Sequence, residues 1–253
     1  MSAVTLTGLS GLPEVLPGED LAGLLAGALR GLGLATLGGD VLVVAQKIVS
    51  KAEGRLVDLA TVVPGVRARE LAAVTGKDAR LVELILSESS EVLRARADVL
   101  IVRHRLGFVM ANAGIDRSNL ASVEAEQVLL LPKDPDASAA ALRAALAASL
   151  GVAPGVIISD SFGRPWRKGV VNVALGAAGV AALVNRRGEA DRGGRRLEVT
   201  EVASADALAA AAGLVMGEAA ESIPAVLIRG FGTPAPVCEA RVLIRPLEED
   251  LFR

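Results

Sequence analysis

Six short β-branched or Leu-rich runs, each bounded by Gly, Pro or Asp, recur along the chain, with longer Ala-, Leu- and charge-rich stretches between them. Runs of this length and composition suit buried strands. They span residues 41–45, 99–102, 128–131, 156–159, 197–202 and 225–229, with 241–244 as a weaker seventh. Helical patterning covers 79–97, 137–150 and 205–221, where Asp78, Asp136 and Ser204 stand in the N-cap position. Residues 21–39 read as a small-residue helix with frayed ends. The alternation predicts an α+β chain of mixed sheets and helices. Without a low-complexity linker, any two lobes must pack intimately, and residues 1–253 are expected to form a single unit.

Composition removes several kinds of chemistry. With one His (His104) and one Cys (Cys238), the chain cannot by itself build a zinc ribbon, a redox cysteine pair or an intrachain disulfide. A metal, if bound, must be held mostly by oxygen. Lys and Arg number 27 against 29 Asp and Glu, and aromatics make up 2%. General nucleic-acid binding is therefore not expected, since basic excess and stacking platforms are both lacking. Uncharged apolar stretches such as 173–184 fall short of the roughly 20 residues that span a bilayer. Residues 1–11 carry no signal-peptide pattern, so no membrane partner and a cytoplasmic location are expected.

Polar clusters interrupt the apolar pattern at five places. Gly11-Leu12-Pro13-Glu14 is a Pro-stiffened turn. The strand at 41–45 runs straight into a segment with Lys47 and Lys51, and Lys51 could reach a phosphate. No glycine-rich loop is present, so this is not a P-loop. Asn112 to Asn119 surround Asp116 with small and amide residues that form tight turns and supply oxygen ligands. In Ser159-Asp160-Ser161-Phe162-Gly163-Arg164-Pro165-Trp166-Arg167-Lys168, an apolar strand ends in Asp-Ser and three cations follow. Strand ends in α/β sheets are common ligand sites. Asp160 and Ser161 suit Mg2+ or Mn2+, while Arg164, Arg167 and Lys168 suit phosphate or carboxylate. Met216 to Pro224 close the set with Glu218. Converging, Asp116, Asp160 and Glu218 would form an oxygen-only site for one or two divalent ions, of use in phosphoryl transfer. His104 reads as structural or solvated and Cys238 as an inert thiol.

These segments, in this order, resemble the coenzyme F420-0:L-glutamate ligase family. The resemblance rests on residues 11–13, 48–55, 112–119, 130–138, 160–167 and 216–224 and covers nearly the whole chain. It implies a family-specific fold and a GTP-dependent amide ligase. Such an enzyme joins L-glutamate to a carboxylate of coenzyme F420-0, extends F420-1 by γ-linkage, and releases GDP and phosphate through an acyl phosphate. It further implies two Mg2+ or Mn2+ ions, potassium as an additional ion, and a homodimer. Carried over residue by residue, the metal ligands are Asp116, Asp160, Ser161 and Glu218. The GTP contacts are Ser10, Gly11, Leu12, Pro13, Lys51, Asn119, Met216, Gly217, Ala219, Ala220, Glu221, Ser222 and Ile223.

Beyond the resemblance, Arg164, Arg167 and Lys168 are expected to meet the coenzyme and Trp166 to stack on a ring; Asp160, Arg164 and Arg167 form the expected catalytic set. The chain departs from its relatives at Ser161, where many have Thr, at Ala219 and Ala220, where glycines are common, and at Gly193, often Tyr. Relatives that continue into a nitroreductase-like flavin domain exist; none is expected here. Two other readings stay open: an amide ligase for another amino acid or acceptor, and a non-catalytic nucleotide-binding protein.

Overall fold

The computed structural model describes residues 3–117 and 126–250. In chain order the elements are β1 (Thr5–Gly8), α1 (Leu21–Gly31), β2 (Val41–Ala45), α2 (Gln46–Ala52), β3 (Leu56–Asp58), α3 (Val66–Thr75), α4 (Ala79–Ser87), β4 (Ser89–Arg96), β5 (Val99–His104), β6 (Val109–Ala111) and β7 (Gln127–Leu129). There follow α5 (Pro135–Leu150), β8 (Gly155–Arg164), β9 (Arg167–Ala178), β10 (Leu183–Asn185), β11 (Glu201–Ala203), α6 (Ser204–Met216) and β12 (Ala225–Arg229). The α+β expectation holds.

The main sheet has the order β1-β12-β2-β8-β9, with β2 and β8 parallel and the other neighbours antiparallel. Alternate residues of its central strands serve two cores, because successive strand side chains point to opposite faces. Leu42, Val44, Val156 and Ile158 pack with α1 and α5, whereas Val41, Val43, Ile157 and Val226 pack with α6. That two-sided burial is why these strands read as continuous apolar runs. Gly176 on β9 lets α5 begin against the sheet, since a Cβ there would stand 2.1 Å from the Pro135 carbonyl oxygen.

The stretch between α2 and α5 carries a core of its own, built from Leu71, Val82, Ile85, Leu100 and Val128 among others, beside the three-stranded sheet β4-β5-β6. Polar contacts knit this stretch internally, and one ring pair ties it to the main sheet. Arg55 Nε donates to the Leu131 carbonyl at 2.8 Å, and Phe108 packs edge-on against Phe162 of β8 with ring centroids 6.0 Å apart. Glu88 gathers Arg55 at 3.1 Å, Arg105 at 3.1 Å and the fully buried His104 Nε2 at 3.5 Å. His104 is therefore structural, and Cys238 is a free, partly buried thiol.

Several local expectations are corrected. The helix expected over 79–97 stops at Ser87: Ser87 and Ser89 hydroxyls donate to the Leu84 and Ile85 carbonyls, and the chain turns into β4 to pair with β5. The helix expected to reach residue 221 ends at Met216, where Gly217 adopts φ +71°. α5 is capped by Asp134, whose side chain accepts from Ala137 N, with Pro135 at its first turn. Asp136 is instead buried and accepts from the backbone N–H groups of Ala177, Ala240 and Arg241. α6 starts at Ser204 with no side-chain cap. The strand expected over 197–202 is confined to Glu201–Ala203, and 241–244 lies in the 3-10 turn Ala240–Leu243. The helix in 21–39 covers only Leu21–Gly31. β8 does not end at Asp160-Ser161 but continues to Arg164, because β9 extends the ladder as far as Arg167. β1, α2, β3, α3, β6, β9 and β10 have no counterpart among the expected elements. Among the described residues, no helix is long and apolar enough to cross a membrane.

Candidate active site

The carboxyl ends of the parallel pair β2 and β8 open onto a cavity of about 490 Å³. Parallel strand ends are a recurrent place for ligand sites, and this volume is ordinary for one. β2 passes into α2 at Gln46 with no intervening loop, which sets Gln46, Lys47 and Lys51 on the cavity wall. Lys47 and Lys51 are one helical turn apart and share a face. Lys51 is buried and ion-pairs with Glu14 at 2.5 Å. Leu12, Pro13 and Glu14 form the facing wall, and Leu12 and Pro13 also border an adjoining groove that contains Ser10 and Gly11.

From β8 come Ser159, Asp160 and Ser161. Burial pushes the Asp160 carboxyl up to about 7, and the negative charges of Asp116 and Glu218 push the same way against the Ser161 N–H and the Lys47 ammonium. Asp116 is held by a backbone bridge to Leu129 on β7, and its carboxylate meets Lys47 Nζ at 2.7 Å. Lys47 thus ties Asp116 to the cavity edge, although Asp116 itself does not line the cavity. Glu218 stands in the loop after α6, with Met216, Gly217, Ala219, Ala220, Glu221, Ser222 and Ile223 lining the cavity beside it. Gly217 is required there: a Cβ would meet Glu221 Cδ at 2.1 Å, and Glu221 in turn accepts from Ala219 N. Ala219 and Ala220 lie outside the positive-φ set, so the loop's shape does not need glycine at either position.

The expected site is therefore assembled in large part. Leu12, Pro13, Lys51, Asp160, Ser161, Glu218 and the 216–223 loop come together, with Asp116 attached through Lys47. Asp160 senses the charges of Asp116 and Glu218, yet no three His, Cys, Asp or Glu side chains among the described residues form a group arranged to hold a metal ion. Arg164, Arg167, Lys168 and Trp166 are not brought to the cavity. They occupy the tip of the β8–β9 hairpin, where Arg164 donates to the Lys168 carbonyl and Trp166 is 89% exposed. Asn119 lies outside the described residues. Gln46, Lys47, Ser159 and Asn172 also line the cavity, beyond the ligands expected from the sequence. The i, i+4 spacing of Lys47 and Lys51, and a lone Asn in the apolar run around 172, were the available signals.

Fold and cavity together define an α+β protein whose parallel strands end in an acid-bearing wall opposed by lysines, a surface suited to anionic ligands. The family model described as F420-0:Gamma-glutamyl ligase matches residues 11–230. A protein of Methanothermobacter thermautotrophicus named Coenzyme F420:L-glutamate ligase is 47% identical over 252 residues, covering 99% of both chains. Proteins of the same name from Methanopyrus kandleri (47% over 244 residues, 95% of this chain and 94% of the relative) and Methanocaldococcus jannaschii (46% over 215 residues, 85% of each) are similar. The chain belongs to the F420-0:gamma-glutamyl ligase family.

Proposed function

We propose that the chain is a GTP- and divalent-metal-dependent ligase that joins the amino group of L-glutamate to the carboxylate of coenzyme F420-0 and adds a further γ-linked glutamate to F420-1. The observation that carries this reading is Asp160, set on β8 just past its parallel pairing with β2, under the charges of Asp116 and Glu218 and in one cavity with Lys47 and Lys51. The names of the relatives supply the substrates.

An amine does not displace a carboxylate oxygen directly, so the carboxylate must first be activated. Transfer of the GTP γ-phosphoryl group to it gives an acyl phosphate and GDP. The amine then attacks the carbonyl carbon, phosphate leaves, and the amine proton passes to solvent. Lys47 and Lys51 supply positive charge for the phosphates, and the 216–223 loop and Leu12-Pro13 enclose the nucleotide.

The donor set fits a hard cation: carboxylate, hydroxyl and amide oxygens from Asp160, Ser161, Glu218, Ser159 and Asn172 share one cavity, and two of them, Ser159 Oγ and Asn172 Oδ1, have no hydrogen-bond partner among the described residues. Asp160, Ser161 and Glu218 would hold it, with Asp116 beside them. A bound divalent ion would neutralise phosphate charge during the transfer. Protonation of Asp160 would remove one of the oxygens able to hold such an ion, which is why its proton affinity matters to the chemistry.

The test is to incubate the protein with coenzyme F420-0, L-glutamate, GTP and Mn2+ and to follow glutamyl addition by mass spectrometry and GDP release by chromatography. Glutamylated product with matching GDP is expected. No product, with GTP intact, would overturn the reading.

A further inference from the structure

Two buried side chains on the cavity wall have polar atoms that the fold does not satisfy. Ser159 is 1% exposed and Asn172 is 7% exposed, and neither Ser159 Oγ nor Asn172 Oδ1 has a hydrogen-bond partner among the described residues. Buried polar atoms are almost always partnered, so each such exception calls for a cause.

Asn172 is placed with care. It lies on β9 directly opposite Ser161 of β8, so the two side chains share a face of the ladder. Its Nδ2 donates to the Met216 sulfur at 3.8 Å. Sulfur can only accept here, which directs the amide NH2 to Met216 and leaves the carbonyl oxygen over. Met216 ends α6 immediately before the loop with Glu218, so Asn172 ties the Ser161 strand to the Glu218 loop. α6 makes room for it with a glycine: a Cβ at Gly213 would lie 3.0 Å from both Cγ and Nδ2 of Asn172. Asn is disfavoured within strands and Gly within helices, so packing alone would select neither.

We propose that Asn172, together with Ser159, is a positioning residue that accepts hydrogen bonds from water carried by a divalent cation at Asp160, Ser161 and Glu218. The inference rests on the metal-dependent reading above. The wall already holds carboxylates, so what Asn172 and Ser159 add is a pair of neutral acceptors on the same wall. Hard cations such as Mg2+ keep several waters, and those waters are strong donors that need such acceptors.

The experiment is a Mn2+ titration of the full chain with GTP present, reading free Mn2+ by electron paramagnetic resonance. Circular dichroism melts check that each variant is folded. Asn172→Ala and Ser159→Ala are expected to weaken Mn2+ binding about tenfold or more. Asn172→Leu, which fills the space without an acceptor, is expected to weaken it likewise, whereas Asn172→Asp retains binding. Should Asn172→Ala not fold, Ser159→Ala and the Leu-against-Asp comparison decide. Equal Mn2+ affinity in wild type, Ser159→Ala and Asn172→Leu overturns the inference alone. Wild-type protein that binds no Mn2+ overturns the metal reading and the inference together. Unchanged Mn2+ affinity with a raised KM for L-glutamate overturns it in favour of an amine-binding role.

Discussion

Lys47 Nζ stands 2.7 Å from Asp116 Oδ2, and this ion pair joins the first turn of α2, at the rim of the cavity, to the segment bridged to β7. Both side chains are about a quarter exposed, between the surface pairs that contribute little and the buried pairs that are costly to break. Lys47→Met is expected to cost about 1 kcal/mol in urea unfolding. The double variant Lys47→Met/Asp116→Asn should recover most of that loss, and strict additivity of the two single changes would show that the pair is not coupled. Lys47 also lowers the proton affinity of Asp160. Lys47→Met should therefore move the acid limb of the ligation pH profile to higher pH.

Asp160 works against the stability of the fold. Its carboxyl is raised to about 7 from the ordinary 3.8, first by burial. The folded state thus binds more protons than the unfolded state between these two values, and stability falls as pH rises through that window. Asp160→Asn removes the penalty. It is expected to stabilise the metal-free protein at pH 8 by on the order of 2 to 4 kcal/mol and to abolish glutamyl transfer. Thermal melts at pH 5 and pH 8 test this, and a melting temperature for Asp160→Asn below wild type at pH 8 would refute it.

Glu88 shows the opposite sign. His104, Arg55 and Arg105 hold its carboxyl down to about 2 from 4.5. Its contribution is complete above pH 4.5 and is lost as pH falls toward 2. His104 Nδ1 accepts the Leu106 N–H, leaving the ring proton on Nε2 to face Glu88. Glu88→Gln is expected to cost about 3 kcal/mol at pH 7. The gap from wild type should narrow steadily in urea titrations between pH 4.5 and pH 2.

How much of this was legible in the sequence depends on whether local pattern or chain pairing decides each element. β2 and β12 fall on the expected bounds, since strands buried on both faces carry their own signal. β4 does not, because Glu91 to Arg96 can be written as helix or strand until β5 supplies a partner. Asp160 was visible as a carboxylate closing an apolar run. Asn172 carries the same signal on β9, a lone amide at the start of the apolar stretch 173–184. Arg164 and Arg167 follow Asp160 closely in sequence, and adjacency suggested a shared site. In an extended strand, four residues carry Arg164 about 13 Å away from Asp160, so continuation of β8 into the hairpin separates what the sequence sets together.

Gly217 offers a test confined to the loop. It holds φ +71°, which L-residues rarely adopt, and a Cβ would fall 2.1 Å from Glu221 Cδ. Gly217→Ala must displace the Glu221 carboxylate, which accepts from Ala219 N, and with it the wall that includes Glu218. The residues 218–222 are mostly exposed and contribute little to either core, so the melting temperature should change by only a few degrees. Strain of about 1 to 3 kcal/mol at such a position corresponds to a rise in the KM for GTP of roughly five- to a hundredfold, with a smaller effect on the KM for L-glutamate. Steady-state kinetics with each substrate varied in turn separate the two. Equal rises in both KM values would show that the loop does not serve the nucleotide in particular.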